Sequence, residues 1–183
     1  MRPWRTLRSQ TLLERPPWLR VLAEDVELPD GRIVEGYLRL ETPDYAVIVP
    51  VDEAGRIGLI RSYKRGPDAI DLQPPAGIIE PGELPGEAAR RELREETGCT
   101  ADQWTGLRNY VLSGNMRGGS AHLFLATGCR QVAEPDSGDL EEQQVLWLPA
   151  GEVARIWRSG QLAQLGTAAA LGLALAHLTP PAT

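Results

Sequence analysis

The sequence predicts an α/β sandwich of single-domain size preceded by an N-terminal antiparallel hairpin, and three observations predict it. β-compatible runs come in pairs around turn signals, one helical segment interrupts them mid-chain, and two helical runs close the C-terminus. At 183 residues the chain is long enough to bury a substantial core. Its 42% apolar and 24% charged residues are ordinary globular values that argue against disorder.

Pro16 and Pro17 break regular structure after an arginine-rich start that also holds Trp4. Trp18 to Glu27 and Arg32 to Leu40 flank the turn signal Pro29-Asp30-Gly31, so a hairpin is expected within a segment spanning residues 1–42. Residues 43–183 form the main domain. Tyr45 to Val51 and Ile57 to Tyr63 flank Asp52-Glu53-Ala54-Gly55 as a second hairpin, apolar enough for central strands. Pro85 suits the first turn of a helix running to Thr97, and Gly98 stands where a left-handed C-terminal cap would fall. Leu107 to Leu112 and Ala121 to Thr127 read as strands around the glycine-rich loop Ser113 to Ser120. Gln143 to Leu148 is a further strand, followed by helices near Gly151 to Arg158 and Gln161 to His177.

Composition narrows the function. A net charge of −6 argues against nucleic acid or an anionic membrane as partner, because both require basic patches. Cys99 and Cys129 are too few for a disulfide framework and match no zinc pattern, so reduced thiols in a cytoplasmic protein are expected. The N-terminus lacks the apolar core of a signal peptide, and the apolar stretch Thr167 to Leu178 is too short to span a bilayer.

Chemistry concentrates in Gly77 to Cys99, GIIEPGELPGEAARRELREETGC. Glu92, Glu95 and Glu96 lie three and four positions apart, which places them as neighbours on one helix, where their charges repel. A hard divalent cation reverses that sign, and Mg²⁺ prefers a few carboxylates together with substrate phosphates. The plain alternative is a solvated acidic face.

This segment resembles the Nudix box: Gly77, Glu83, Arg91, Glu92, Leu93, Glu95, Glu96 and Gly98 fill its pattern in register, and only Cys99 stands where an aliphatic residue is usual. Over roughly residues 18 to 165 the chain is similar to the ADP-ribose pyrophosphatase branch. The strand Leu59-Ile60-Arg61-Ser62-Tyr63-Lys64-Arg65, Pro75-Ala76-Gly77 opening the box, and the hairpin domain before it carry that similarity.

The resemblance implies a Nudix-type α/β/α sandwich with a mixed sheet and a cytoplasmic, Mg²⁺- or Mn²⁺-dependent hydrolase. Its small-molecule substrate is a nucleoside diphosphate derivative, foremost ADP-ribose cleaved to AMP and ribose 5-phosphate. It also implies a homodimer built through the N-terminal hairpin segment. Glu92, Glu95, Glu96 and the backbone carbonyl of Ala76 are the implied metal ligands. Glu83 and Arg91 form an orienting ion pair, while Gly77 and Gly98 fix the backbone. The general base maps to Glu141 or Glu142, with Glu95 also among the catalytic candidates. Arg61, Arg65 and Arg117 are candidate phosphate holders, since guanidinium forks match phosphate oxygens. Trp18 and Tyr63 are candidate stacking partners for a base, although aromatics at such positions are more often core. The alternatives are a nucleotide-sugar or nucleoside triphosphate pyrophosphatase, and a catalytically silent sensor of the same fold.

Overall fold

The structure, a computed structural model, describes residues 1–138 and 142–179. In chain order the strands are β1 (Arg5–Arg15), β2 (Leu19–Glu27), β3 (Ile33–Glu41), β4 (Tyr45–Asp52), β5 (Arg56–Lys64), β6 (Ala69–Gln73) and β7 (Ala76–Ile78). Helix α1 (Pro85–Thr97) follows, then β8 (Cys99–Thr100), β9 (Gln103–Ser113), β10 (Arg117–Gln131) and β11 (Gln143–Pro149), then α2 (Ala150–Arg158) and α3 (Leu165–Leu178). The chain divides into two compact units, one of Met1–Asp44 with Tyr110–Ser120, the other of Tyr45–Asn109 with the residues from Ala121 onward.

In the first unit β2 pairs antiparallel with β3, with Glu27 opposite Ile33 across the expected turn. Asp30 shapes that turn by accepting the Arg32 amide on its side chain (3.1 Å). Strand β1 is legible only in the structure, because its mixed polar pattern carries no period. It becomes a strand by pairing along β2, from Arg5 opposite Glu27 to Arg15 opposite Leu19, a tertiary override of weak local preference. The two prolines make the turn between them, closed by the Trp18 amide on the Arg15 carbonyl (2.9 Å). The glycine-rich loop is shorter than expected, because β10 already begins at Arg117. Its tip is anchored on β3, where the Leu40 amide donates to the Met116 carbonyl (2.8 Å) and the Tyr37 hydroxyl to the Asn115 carbonyl (3.2 Å).

The second unit holds a mixed sheet. Strand β4 runs parallel to β10 and antiparallel to β5 and β7, while β5 also pairs antiparallel with β6 and β11. Period-two alternation along β4 splits its side chains between two cores. Ala46 and Ile48 pack with Ala88, Ala89 and Leu93 of α1 and with Cys99, Ala126 and Cys129. Val47, Val49 and Val51 pack with Ile57, Leu59, Leu123 and Leu125, under Val153 of α2 and Ala170, Leu171 and Ala174 of α3. Helices therefore cover both faces, and the fold is the expected α/β/α sandwich. No helix among the described residues is long and apolar enough to cross a membrane. Burial pushes the Cys129 thiol up to about 12, which keeps it protonated and unreactive at neutral pH.

Helix α1 starts and stops as the sequence predicts. Pro85 occupies its first turn, the Glu87 carboxylate accepts the Leu84 amide (3.1 Å), and Gly98 ends it at φ 69° with its amide on the Arg94 carbonyl (2.8 Å). The Gly98 carbonyl in turn accepts the amides of Val132 (2.8 Å) and Ala133 (3.0 Å), so the chain beyond β10 lies against the cap. Helix α3 begins later than expected, at Leu165 rather than near Gln161. The buried Asp71 carboxylate explains the delay, because it accepts the Ala163 amide (3.1 Å) and holds the preceding residues in a non-helical path.

Candidate active site

Two elements build the acidic site, α1 and the short strand β7, which binds the edge of β4 with Gly77 opposite Ala46. The three carboxylates differ in environment. Glu92 and Glu96 are buried, with 9% and 4% of their surface exposed, whereas the Glu95 side chain is 42% exposed. Glu96 accepts the Ala76 amide at 2.7 Å, so β7 and the helix are joined through a carboxylate. Gly77 lies so close to Glu92 that a β-carbon on it would overlap the Glu92 carboxyl group. Any side chain at this position would require the Glu92 carboxyl group to move.

Arg91 gathers the remaining acids. Its Nε and Nη2 bind the two oxygens of Glu83 at 2.9 Å each, and Nη2 also donates to the Ile78 carbonyl at 2.9 Å. Its Nη1 donates to Glu92 at 2.6 Å and to Glu95 at 3.0 Å. The Arg91 guanidinium hydrogen-bonded to Glu83 holds that carboxyl below its usual range, and Glu83 in turn raises the arginine further above its own. The pair is partly buried, with 27% of the Arg91 side chain and 16% of the Glu83 side chain exposed. Its effect is geometric, fixing the residue 78–83 segment over the helix.

One guanidinium shared by three carboxylates leaves the cluster negative, and its donors are all oxygen. That composition fits a hard divalent ion. Among the described residues, however, no three His, Cys, Asp or Glu side chains form a ready-made metal cage. Glu92 and Glu95 instead turn to Arg91, and Glu96 turns to the Ala76 amide.

A cavity of about 720 Å³ at the β5, β6 and β11 strands brings together Arg61, Tyr63 and Glu142 with Ser62, Ile70, Gln143 and Gln144. Strand register explains the grouping, since Tyr63 faces Ile70 across β6 while Ser62 and Arg61 face Gln143 and Gln144 across β11. Ile70 and the glutamines have no signal of their own in the sequence, and β6 is too short to read there. Arg65 does not line this cavity; it pairs with Asp68 at 3.2 Å in the turn after β5, where the Tyr63 hydroxyl also binds Asp68 at 2.6 Å. Trp18 and Arg117 belong to the first unit. Trp18 is an exposed turn residue. Arg117 stands at φ 69° beside a cavity with Glu24, Tyr37 and Arg39. Glu141 lies outside the described residues. Trp104, partly buried, packs edge-on to Phe124 and under the Arg90 guanidinium, against the core that holds α1.

Comparison with known proteins extends these observations. The family model of the NUDIX domain matches residues 41–165, and that of the nucleoside diphosphate sugar hydrolase N-terminal domain matches residues 4–37. The chain is 33% identical over 177 residues to CMP-5'-(N-acetyl-N-hydroxy-3-aminopropyl)phosphonate hydrolase of Streptomyces rubellomurinus, covering 94% of this chain and 85% of that protein. It is 31% identical over 141 residues to the ADP-ribose pyrophosphatase of Mycobacterium tuberculosis, covering 76% of this chain and 68% of that one. A crystal structure of an ADP compounds hydrolase shares the fold, with a TM-score of 0.83 at 24% identity over 97% of this chain and 95% of its own.

Proposed function

The chain belongs to the Nudix family, and from that premise we propose that it hydrolyses the diphosphate bridge of a nucleoside diphosphate derivative, with ADP-ribose, cleaved to AMP and ribose 5-phosphate, as the leading substrate. The observation that carries this reading is the cluster of Glu92, Glu95 and Glu96, braced by Glu83 and Arg91 and closed on one side by β7. The named activity of the Mycobacterium tuberculosis relative supports the substrate.

Glu92, Glu95 and Glu96 would hold the divalent ion, Mg²⁺ or Mn²⁺, with the Ala76 carbonyl as a further oxygen. When bound, such an ion supplies charge neutralisation at the bridge and a more acidic water. The chain's own residues do the rest. Arg61, exposed on the cavity wall, binds phosphate oxygens as a planar fork. Tyr63 offers a ring face for a base. Glu142 lines the same cavity and is the described candidate to accept the water proton, which requires hydrogen-bond reach. Glu141 is the neighbouring candidate, and Glu95, the most exposed of the triplet, is the third. The water oxygen joins one phosphorus, and the bridging oxygen leaves on the other product.

A second reading has its own support. The Streptomyces relative acts, by its name, on a CMP-linked phosphonate, and the N-terminal model is that of nucleoside diphosphate sugar hydrolases. A panel of ADP-ribose, nucleotide sugars, CMP-linked phosphonates and nucleoside triphosphates, with products identified, separates the readings. AMP plus ribose 5-phosphate is expected. A nucleoside monophosphate plus pyrophosphate would move the assignment to triphosphates, and binding without turnover at saturating Mg²⁺ would replace the enzyme by a sensor.

We also propose a cytoplasmic homodimer formed through the first unit. Every residue of β1 is exposed, including Leu7, Leu12 and Leu13, and Trp4, Trp18, Ile33 and Leu38 are exposed in the same unit. Among the described residues strand β1 pairs with β2 and with no other strand, which leaves an open edge suited to a second copy. The low cysteine count supports the compartment. Sedimentation after gentle lysis checks both: the protein is expected in the supernatant at twice its 20.0 kDa chain mass, and a 20.0 kDa species or a membrane pellet would overturn the respective proposal.

A further inference from the structure

Arg91 uses its two edges differently. One edge, Nε and Nη2, is committed to Glu83 and the Ile78 carbonyl. The other, Nη1, donates to Glu92 Oε1 and Glu95 Oε2. Those two carboxylates are proposed metal ligands, and a carboxylate lone pair that accepts from a guanidinium is not free to coordinate a cation. Glu96 is held from another side, accepting the Ala76 backbone amide of β7.

We infer that Arg91 is a built-in competitor of the divalent ion, holding Glu92 and Glu95 through Nη1 and yielding them when the ion arrives, while Glu83 keeps the arginine in place. The inference rests on the metal reading of the site proposed above. The 2.6 Å contact to Glu92 is short and charge-assisted, so it opposes coordination directly. The Arg91 side chain is only 27% exposed and fixed on its far edge, so Nη1 is exchanged without the arginine swinging into solvent. Glu83 then acts as a positioning residue. By drawing the guanidinium toward itself it weakens the grip on the ligands and tunes how readily the ion enters.

The test is calorimetric titration of Mn²⁺ into the full-length, chelator-stripped protein, alongside thermal unfolding in chelator and in Mn²⁺. Arg91→Gln is expected to tighten Mn²⁺ binding by about tenfold, the scale of a lost charge-assisted hydrogen bond on the competing side, and to unfold earlier in chelator with a larger gain on adding Mn²⁺. Glu83→Gln is expected to weaken binding severalfold by releasing Arg91 onto the ligands. In the double variant the Glu83 effect should vanish, because it acts through Arg91. Arg91→Lys, which keeps the charge but cannot span both edges, is expected between parent and Gln and decides the matter if Arg91→Gln fails to fold. A parent protein that takes up no Mn²⁺ would remove the metal reading itself. Uptake by the parent with no tightening in the arginine variants, or with Arg91 and Glu83 effects that simply add, would overturn the competition and leave the metal reading standing.

Discussion

Glu96→Gln is expected to lower kcat by about 10²-fold or more, the typical worth of a well-placed catalytic group, while the fold is kept. The side chain is 4% exposed and accepts the Ala76 amide at 2.7 Å. A glutamine can still accept that hydrogen bond through its carbonyl oxygen, so β7 and α1 remain joined while the charge is lost. Melting temperature and circular dichroism close to the parent's, together with the fall in kcat and a weaker response to Mg²⁺, are the expected set. Parent-like turnover would remove Glu96 from the site.

Gly77→Ala is the second large effect, and it works through space rather than charge. Gly77 is in a strand that tolerates alanine, and its φ lies outside the left-handed region, so the backbone is not strained. The new methyl would instead meet the Glu92 carboxyl group and force it aside. A displacement of about 1 Å at a catalytic group is enough for a loss of about 10²-fold, so kcat/KM is expected to fall by that order while unfolding changes far less. Titration of Mn²⁺ should show weaker binding in the same variant. A fully active Gly77→Ala enzyme would mean that the position of Glu92 does not matter to the reaction.

The parts of this molecule legible in sequence are those fixed by local chemistry. Pro85 and Gly98 bracket α1 because each has one low-energy place at a helix end. The i, i+3 and i+4 spacing of Glu92, Glu95 and Glu96 survives folding because a helix turns by a constant angle. The Asp30-Gly31 turn likewise announces its hairpin.

What stayed hidden depends on distant partners. β1 exists because β2 offers it an edge, and α3 starts late because Asp71, far off in sequence, captures the Ala163 amide. Ile70, Gln143 and Gln144 join Arg61 and Tyr63 only through the register of β6 and β11. Nor does spacing reveal that Arg91 divides its fork between Glu83 and two of the triplet, since Glu83 sits across a loop. Residues 110–120 group with the N-terminal unit although more than sixty residues separate them from it in the chain, a proximity no linear pattern records.

The far end of α1 carries one more implication. Helices fray where their final carbonyls face water, yet here Leu93 accepts the Thr97 hydroxyl, Arg94 the Gly98 amide and Glu95 the Asp136 amide at 2.7 Å. The peptide group that carries the Glu95 carboxylate is thereby sutured to a surface loop downstream of β10. Lengthening or shortening the chain between Gly98 and Asp136 would reach the reaction centre through the main chain, without altering a single acidic residue.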